Sequence, residues 1–316
     1  MQANEVFVGV DVAKDTLVIC IWGVLQRQLV PNEERAIKEW LKTLSPRAVV
    51  GMESTGRYHQ ELARLAHQAG LRVYVLNTKD VYFYAKALGA RGKTDPGDAQ
   101  VIARYVAEHH RSLHAWAPGT AAQLRVQELL QRRARIAVCR ASVRQALTGL
   151  DELAPAVLQL EQQFEQLLRR IDREVQALVA SESQLSQGST MLQSICGIGP
   201  QSAALLAALL SRIEFANVDA LVAYSGLDPR PCDSGTKSGR RRLSKRGSPN
   251  LRRQLYLAAM AATRSKAMGS IYQAIKAKGF KSTQALVILA RKLLRIVWAV
   301  WKSGKPFDPT RLQSAA

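Results

Sequence analysis

Between Leu129 and Ile171 the apolar residues keep a seven-residue beat, and no other feature constrains the fold of this chain as much. Leu129, Ile136, Val143 and Leu150 recur every seven positions. Leu153, Val157, Leu160, Phe164, Leu167 and Ile171 then alternate steps of four and three, as a coiled-coil seam requires. The positions between them carry Glu161, Glu165, Arg169, Arg170 and Arg173. The pattern predicts two long helices joined near Ala154–Pro155, a protruding hairpin over residues 111–188 that serves dimerisation or is merely an intramolecular helix pair.

On either side of this element the patterning changes. Residues 1–110 alternate strand and helix signals. Strands are expected at Glu5–Val12 and Thr16–Trp22, paired by a short turn, then at Arg47–Met52 and Arg72–Leu76. Helices are expected at Glu33–Leu44, Tyr58–Ala69 and Asp95–Ala107. An opening hairpin followed by helix–strand units implies a mixed sheet with helices on its faces, a compact α/β domain. A linker is expected at Ser181–Thr190. Residues 189–316 then read as an all-α domain, with helices at Gln201–Ser211, Val218–Tyr224, Pro249–Ser265 and Ser282–Lys302. A long basic loop, Gly226–Ser248, interrupts them.

Charge separates these parts. The chain of 316 residues has a net charge of +20 at neutral pH. Residues 191–316 hold 21 basic side chains against five acidic ones. Within 230–253 the nine cations Arg230, Lys237, Arg240, Arg241, Arg242, Lys245, Arg246, Arg252 and Arg253 face one acid, Asp233. Each cation set on a phosphate releases a condensed counterion, so such a segment favours nucleic acid regardless of sequence. Cys20, Cys139, Cys196 and Cys232 are far apart and form no CxxC pair, which argues against a disulfide scaffold or zinc finger and for a cytoplasmic location. The start lacks the pattern of a signal peptide, and the longest apolar stretch, Ala203–Leu210, is too short to cross a bilayer. A chain that is neither secreted nor embedded in a membrane is therefore expected.

Four acids form the first candidate constellation. Asp11 ends the first expected strand, Glu53 follows the buried one, and Asp95 and Asp98 open the last α/β helix. Asp95 reads as an N-cap with Pro96 in the first helical position, and Asp98 then lies about one turn on, on the same face. Alone, Asp95 also reads as only a cap, Asp98 as only a dipole partner and Asp11 as a turn residue. Strand ends and helix starts in such a sheet converge at one edge. Four carboxylates gathered there repel and need a cation to stay ionised. Hard oxygen donors with open positions suit Mg²⁺ or Mn²⁺, which activates an attacking oxygen on phosphate.

The second candidate is a serine in the basic loop. Ser225, Ser234, Ser238, Ser244 and Ser248 are all present. Ser248, followed by Pro249, reads as a helix N-cap, and Ser225 beside Gly226 as a backbone binder. Ser234 precedes Gly235 among cations able to stabilise a pentavalent phosphate, with Ser244 as its main rival. Upstream, Ile195-Cys196-Gly197-Ile198-Gly199-Pro200 reads equally as a phosphate-binding turn between helices or as a plain glycine turn. Trp298 and Trp301 read as core.

VGVDVAKDTL at 8–17, GMESTGRY at 51–58 and the segment from Ala90 to Ala99 resemble the DEDD-type insertion-sequence transposases, the bridge-RNA-guided serine recombinases. GLDPR at 226–230, Ser234-Gly235, LSKRG at 243–247 and LRRQLY at 251–256 resemble that family's C-terminal transposase domain. The resemblance runs from Val8 to Phe307. It implies an RNase H/RuvC-like N-terminal domain over residues 1–110 and a coiled-coil hairpin over 111–188. A helical C-terminal transposase domain would then occupy 189–316. It implies that Asp11, Glu53, Asp95 and Asp98 bind the metal and that Ser234 is the nucleophile, joined to DNA through a phosphoserine. The partners it implies are double-stranded donor and target DNA, a structured non-coding guide RNA, and a homodimer that assembles to a tetramer. A resolvase-type endonuclease, using the acids with water and no covalent intermediate, is the alternative.

Overall fold

The computed structural model describes residues 5–56, 58–89, 95–231, 239, 241–310 and 312, with the backbone path alone at 95–97. The chain forms two compact units, Met1–Pro118 and Gly119–Ala316. Among the described residues there are twelve α-helices and a five-stranded mixed sheet. No helix among them is long and apolar enough to cross a membrane.

The first unit is built on β1 (Val6–Val12), β2 (Thr16–Ile21), β3 (Arg27–Pro31), β4 (Ala48–Glu53) and β5 (Arg72–Leu76). The strand order is β3-β2-β1-β4-β5. β1, β2 and β3 form an antiparallel meander, whereas β4 and β5 run parallel to β1. Alternation along the strands sends side chains to two faces. Val8, Val10, Leu17, Ile19, Val50 and Met52 bury one face under α1 (Glu34–Lys42) and α2 (His59–Gln68), which contribute Ile37, Trp40, Leu62 and Leu65. Val49, Tyr74 and Leu76 lie on the other face with Val81 of α3 (Thr78–Ala87) and Ile102 and Val106 of α4 (Asp95–His109).

Two elements here were not expected from the sequence. β3 is the sheet's edge and buries only Val30, so its residues lack the apolar alternation that marks an inner strand. α3 buries only Val81 and likewise carries almost no apolar stripe.

The second unit is helical. Its long hairpin consists of α5 (Ala121–Ala146) and α6 (Ala154–Ala180), with Pro155 in the first turn of α6 as the sequence suggested. Thr120 and Gln123 form a capping box at the start of α5, and Gln123 Nε2 also donates to Ser211 Oγ at 3.0 Å. At the base of the hairpin, Val126, Leu130 and Val175 enter one core with α8 (Pro200–Leu210), α10 (Pro249–Ala262) and α12 (Ser282–Ser303). No residue between 135 and 167 is buried, so the outer half is held by its own seam. Two ion pairs fix its register, Arg133 to Asp172 through two bonds of 2.6 and 2.9 Å, and Arg140 to Glu161 at 2.6 Å.

That seam differs from the sequence expectation. Val157, Glu161, Phe164, Leu168, Ile171 and Val175 are the less exposed positions, whereas Leu153, Leu160 and Leu167 are 40, 41 and 46% exposed. The apolar surface of α6 is wider than one seam, and packing on α5 uses only part of it. The expected linker at 181–190 is also corrected. It folds as α7 (Ser183–Gln193), which buries Leu185, Gly188, Ser189 and Leu192 at helical spacing. Gly188 is required there because the Trp301 ring occupies the space of a side chain. α9 (Val218–Ser225) and α11 (Lys266–Ala277) complete the unit, together with a short ribbon of β6 (Pro229–Arg230) and β7 (Arg242–Leu243). Trp298 and Trp301 pack against the core.

Candidate functional site

The acidic candidates lie on the α4 side of the sheet. Val10 pairs with Met52, so one further step along these parallel strands sets Asp11 beside Glu53, at the C-terminal ends of both. Alternation places both on the face that carries Gly9 and Gly51. Those glycines let α4 lie directly on the sheet. A Cβ at Gly9 would overlap the Ala99 carbonyl oxygen and the Ala103 nitrogen, and one at Gly51 would overlap the Val106 side chain.

The helix runs antiparallel to β1, because the Phe7 ring lies 4.9 Å from that of His110, just past the end of α4, whereas Gly9 meets Ala99 and Ala103. Continuing up the strand from Gly9 to Asp11 therefore leads to the first turn of α4, where Asp95 and Asp98 lie. Asp98 is half-buried. The helix already includes Asp95, one position earlier than the cap assignment, and the i, i+3 relation to Asp98 is kept. The Asp95 side chain lies outside the described residues.

Asp11, Glu53 and Asp98 thus approach one edge from three elements. Among the described residues no group of three or more Asp, Glu, His or Cys closes into a metal-binding cluster. The donor set is nevertheless all carboxylate, the chemistry that Mg²⁺ or Mn²⁺ takes. His59, on the first turn of α2 beyond Glu53, was not singled out in the sequence. Burial pushes its imidazole pKa down, against a backbone hydrogen bond at Thr55 that raises it. Only spatial proximity to Glu53's loop marks it, a signal that spacing does not carry.

The basic loop rises from a tightly built stem. Gly226 ends α9 with φ of 71°, in the left-handed region where glycine is favoured. Lys245 N donates to the Gly226 carbonyl at 3.1 Å and Ser244 N to that of Asp228 at 3.0 Å. Beyond them Pro229 and Arg230 pair with Leu243 and Arg242. Gly247 passes so close to Tyr224 and Ser225 that a Cβ would overlap their backbone.

Arg252 closes this clasp. Its Nη1 donates to Ser225 O at 3.2 Å and Gly247 O at 2.5 Å, and burial lowers its pKa. Arg252→Ala is expected to cost about 2 kcal/mol, because the buried Ser225 and half-buried Gly247 carbonyls lose their donor, and Arg252→Lys about half that. Urea denaturation of both variants checks this, and equal stability to the parent chain would contradict it.

The described serines of the loop are already engaged. Ser225 is fully buried, and its Oγ donates to Val222 O at 2.7 Å and accepts from Leu227 N at 3.2 Å. Ser244 Oγ donates to the Asp228 carboxylate, and Ser248 caps α10. Ser234 and Ser238 lie outside the described residues, as do Lys237 and Arg240. Of the predicted cations, Arg230, Arg241, Arg242 and Lys245 are exposed, and Arg246 and Arg253 are half-buried. In the 195–200 turn, Gly197 has φ of 90° and is pressed against Ala258 and Ala262, so its freedom serves helix packing.

Residues 8–155 match the family described as transposase of the DEDD IS110 type, and residues 189–273 match the transposase IS116/IS110/IS902 family. The chain is therefore a transposase-class, DNA-processing enzyme. It belongs to the IS110/IS116 family of insertion-sequence transposases. The pilin gene-inverting proteins of Moraxella bovis and Moraxella lacunata are each 26% identical to it, across 96% of this chain and 98% of theirs. The 44.8 kDa protein of insertion element IS116 from Streptomyces clavuligerus is 27% identical across 52% of this chain and 41% of its own.

Proposed function

We propose that this transposase is an RNA-guided DNA recombinase that cuts and rejoins donor and target DNA through a phosphoserine intermediate. Its N-terminal domain would be of the RNase H/RuvC-like kind. The observation that most supports the reading is the packing of α4 on Gly9 and Gly51, which directs Asp11, Glu53 and the first turn of α4 to one sheet edge. Asp11, Glu53, Asp95 and Asp98 would hold Mg²⁺ or Mn²⁺. The ion supplies charge stabilisation at the scissile phosphate and an acidified oxygen.

Ser234 Oγ gives up its proton and attacks phosphorus. The P–Oγ bond forms as one P–O bond of the DNA backbone breaks, and the departing DNA oxygen takes a proton. Attack by a hydroxyl of another strand reverses the step, restores a phosphodiester and frees the serine. Bond energy is kept in the phosphoserine, so no external energy source is required. The engagement of Ser225, Ser244 and Ser248 in local bonds favours Ser234 over those three.

The exposed cations Arg230, Arg241, Arg242 and Lys245, with Lys237 and Arg240, would contact phosphates, leaving base choice to a structured guide RNA. Arg246 and Arg253 would add to this surface, and Arg252 would hold its stem. Residues 111–188 would act as the dimerisation element and 189–316 as the domain carrying the serine, with dimers pairing into a tetramer. The Leu160 and Leu167 stripe left open on α6, continued by Leu153 just before the helix, supports that role. Leu160→Glu with Leu167→Glu is expected to raise the dimer dissociation constant at least tenfold, read by sedimentation equilibrium. An unchanged constant would remove this stripe from the interface.

The whole reading is tested with purified protein, Mg²⁺, RNA transcribed from the flanking element, and labelled donor and target duplexes. Recombinant junctions are expected. Cleaved ends that never join would instead favour a metal-dependent structure-specific endonuclease.

A further inference from the structure

The solvent face of α3 is the feature that neither the fold nor the proposed chemistry uses. Val81 is the only buried residue of this helix, yet Tyr82 and Phe83 beside it are 52 and 55% exposed. Single exposed apolar side chains are ordinary, and two adjacent rings on one short helix are less so. Their centroids stand 5.4 Å apart at 69°, and Lys86 Nζ lies 4.8 Å from the Tyr82 centroid. The opposite side of the helix is locked in place. Tyr84 OH donates to the Glu108 carboxylate, and its ring packs on Tyr105 at 5.0 Å. The pair is therefore presented on a fixed support.

Position gives this face a meaning. α3 follows β5 directly, and Ser54 N donates to Leu76 O at 3.0 Å, so it starts at the edge from which Glu53 leaves the sheet. Along α3 itself the cations are Lys79 and Lys86, against Asp80 alone. Rings flanked by cations suit a strand whose bases stack while its phosphates are neutralised. A protein partner would also value two rings, but the cations Lys79 and Lys86 on the same helix, the latter against the Tyr82 ring, favour phosphate.

We propose that Tyr82 and Phe83 form a stacking platform for unpaired bases of single-stranded DNA, with Lys79 and Lys86 on its phosphates. It would receive the strand that leaves the acidic edge. The inference rests on the recombinase reading, since that chemistry requires DNA opened beside the acids.

The test uses the full chain and a fluorescein-labelled oligodeoxythymidylate, with binding followed by anisotropy over a range of salt. Tyr82→Leu with Phe83→Leu keeps the surface apolar and removes the π faces. Single-strand affinity is expected to fall about tenfold or more, with duplex affinity held within about twofold and the salt slope unchanged. Lys79→Ala with Lys86→Ala should flatten that slope instead.

A 5-iodouracil oligonucleotide is expected to photocrosslink to the peptide bearing Tyr82 and Phe83. Circular dichroism confirms that the leucine variant is folded, and the crosslink is read on the unsubstituted chain. Full affinity in the leucine variant together with crosslinks elsewhere would overturn the platform and leave the recombinase reading standing. A loss confined to single-stranded RNA of matching sequence would overturn it as a DNA site. Failure of the parent chain to bind any DNA would instead count against the recombinase reading itself.

Discussion

Asp11→Asn is expected to lower DNA strand cleavage by about three orders of magnitude or more while leaving the fold intact. The substitution keeps the shape of the side chain and removes the charge that a cation needs. Asp11 reaches its position through two constraints, the parallel pairing of β1 with β4 and the packing of α4 on Gly9. Both involve backbone, so asparagine disturbs neither. Asp15→Asn, in the exposed turn between β1 and β2, loses the same formal charge outside the proposed ligand set and serves as the control. Single-turnover cleavage of a labelled duplex in Mg²⁺ reads the difference. Equal rates for Asp11→Asn and the control would remove Asp11 from the chemistry.

Gly9→Val should be the most damaging single change to the first unit. Any Cβ there overlaps backbone atoms of Ala99 and Ala103, and backbone within a helix cannot turn aside as a flexible side chain can. Overpacking of this kind costs about 3 kcal/mol or more, against a total stability for such a domain of about 5–15 kcal/mol. Gly23, with φ of 85° and open space around its Cβ position, provides the contrast, since Gly23→Ala meets only backbone strain of about 1 kcal/mol. Urea unfolding followed by circular dichroism should show an early or absent transition for Gly9→Val and a small shift for Gly23→Ala. A Gly9→Val protein as stable as the parent would mean that α4 does not press on β1 there, and the convergence of acids at that edge would lose its basis.

What the sequence made legible follows from how far each signal reaches. β1, β2, β4 and β5 were foreseen because their inner residues form apolar runs, and α1, α2 and α4 through their helical spacing. β3 and α3 carry no such signal, because each buries a single residue, Val30 or Val81. The segment 181–190 looked like a linker from its serines, glutamines and glycine. Gly188 is there to admit Trp301, a partner more than a hundred residues away that composition cannot reveal.

In α6 the heptad was real, but apolar spacing alone could not say which stripe the intramolecular partner would cover. The candidate acids could be named from motif and spacing. Their approach to one edge depends on helix–sheet contact at Gly9 and Gly51, positions that read locally as ordinary glycines. Arg252 counted among nucleic-acid contacts on charge alone. Its two carbonyl partners at 225 and 247 exist only because the stem folds back on α9 and α10.

The most direct test of the central claim is a denaturing gel of purified protein incubated with Mg²⁺, the flanking-element RNA, and labelled donor and target DNA. The account predicts a slow, protease-sensitive protein–DNA band that vanishes in Ser234→Ala. Cleaved DNA without any adduct, unchanged by that substitution, would contradict it and make the protein a nuclease that uses water.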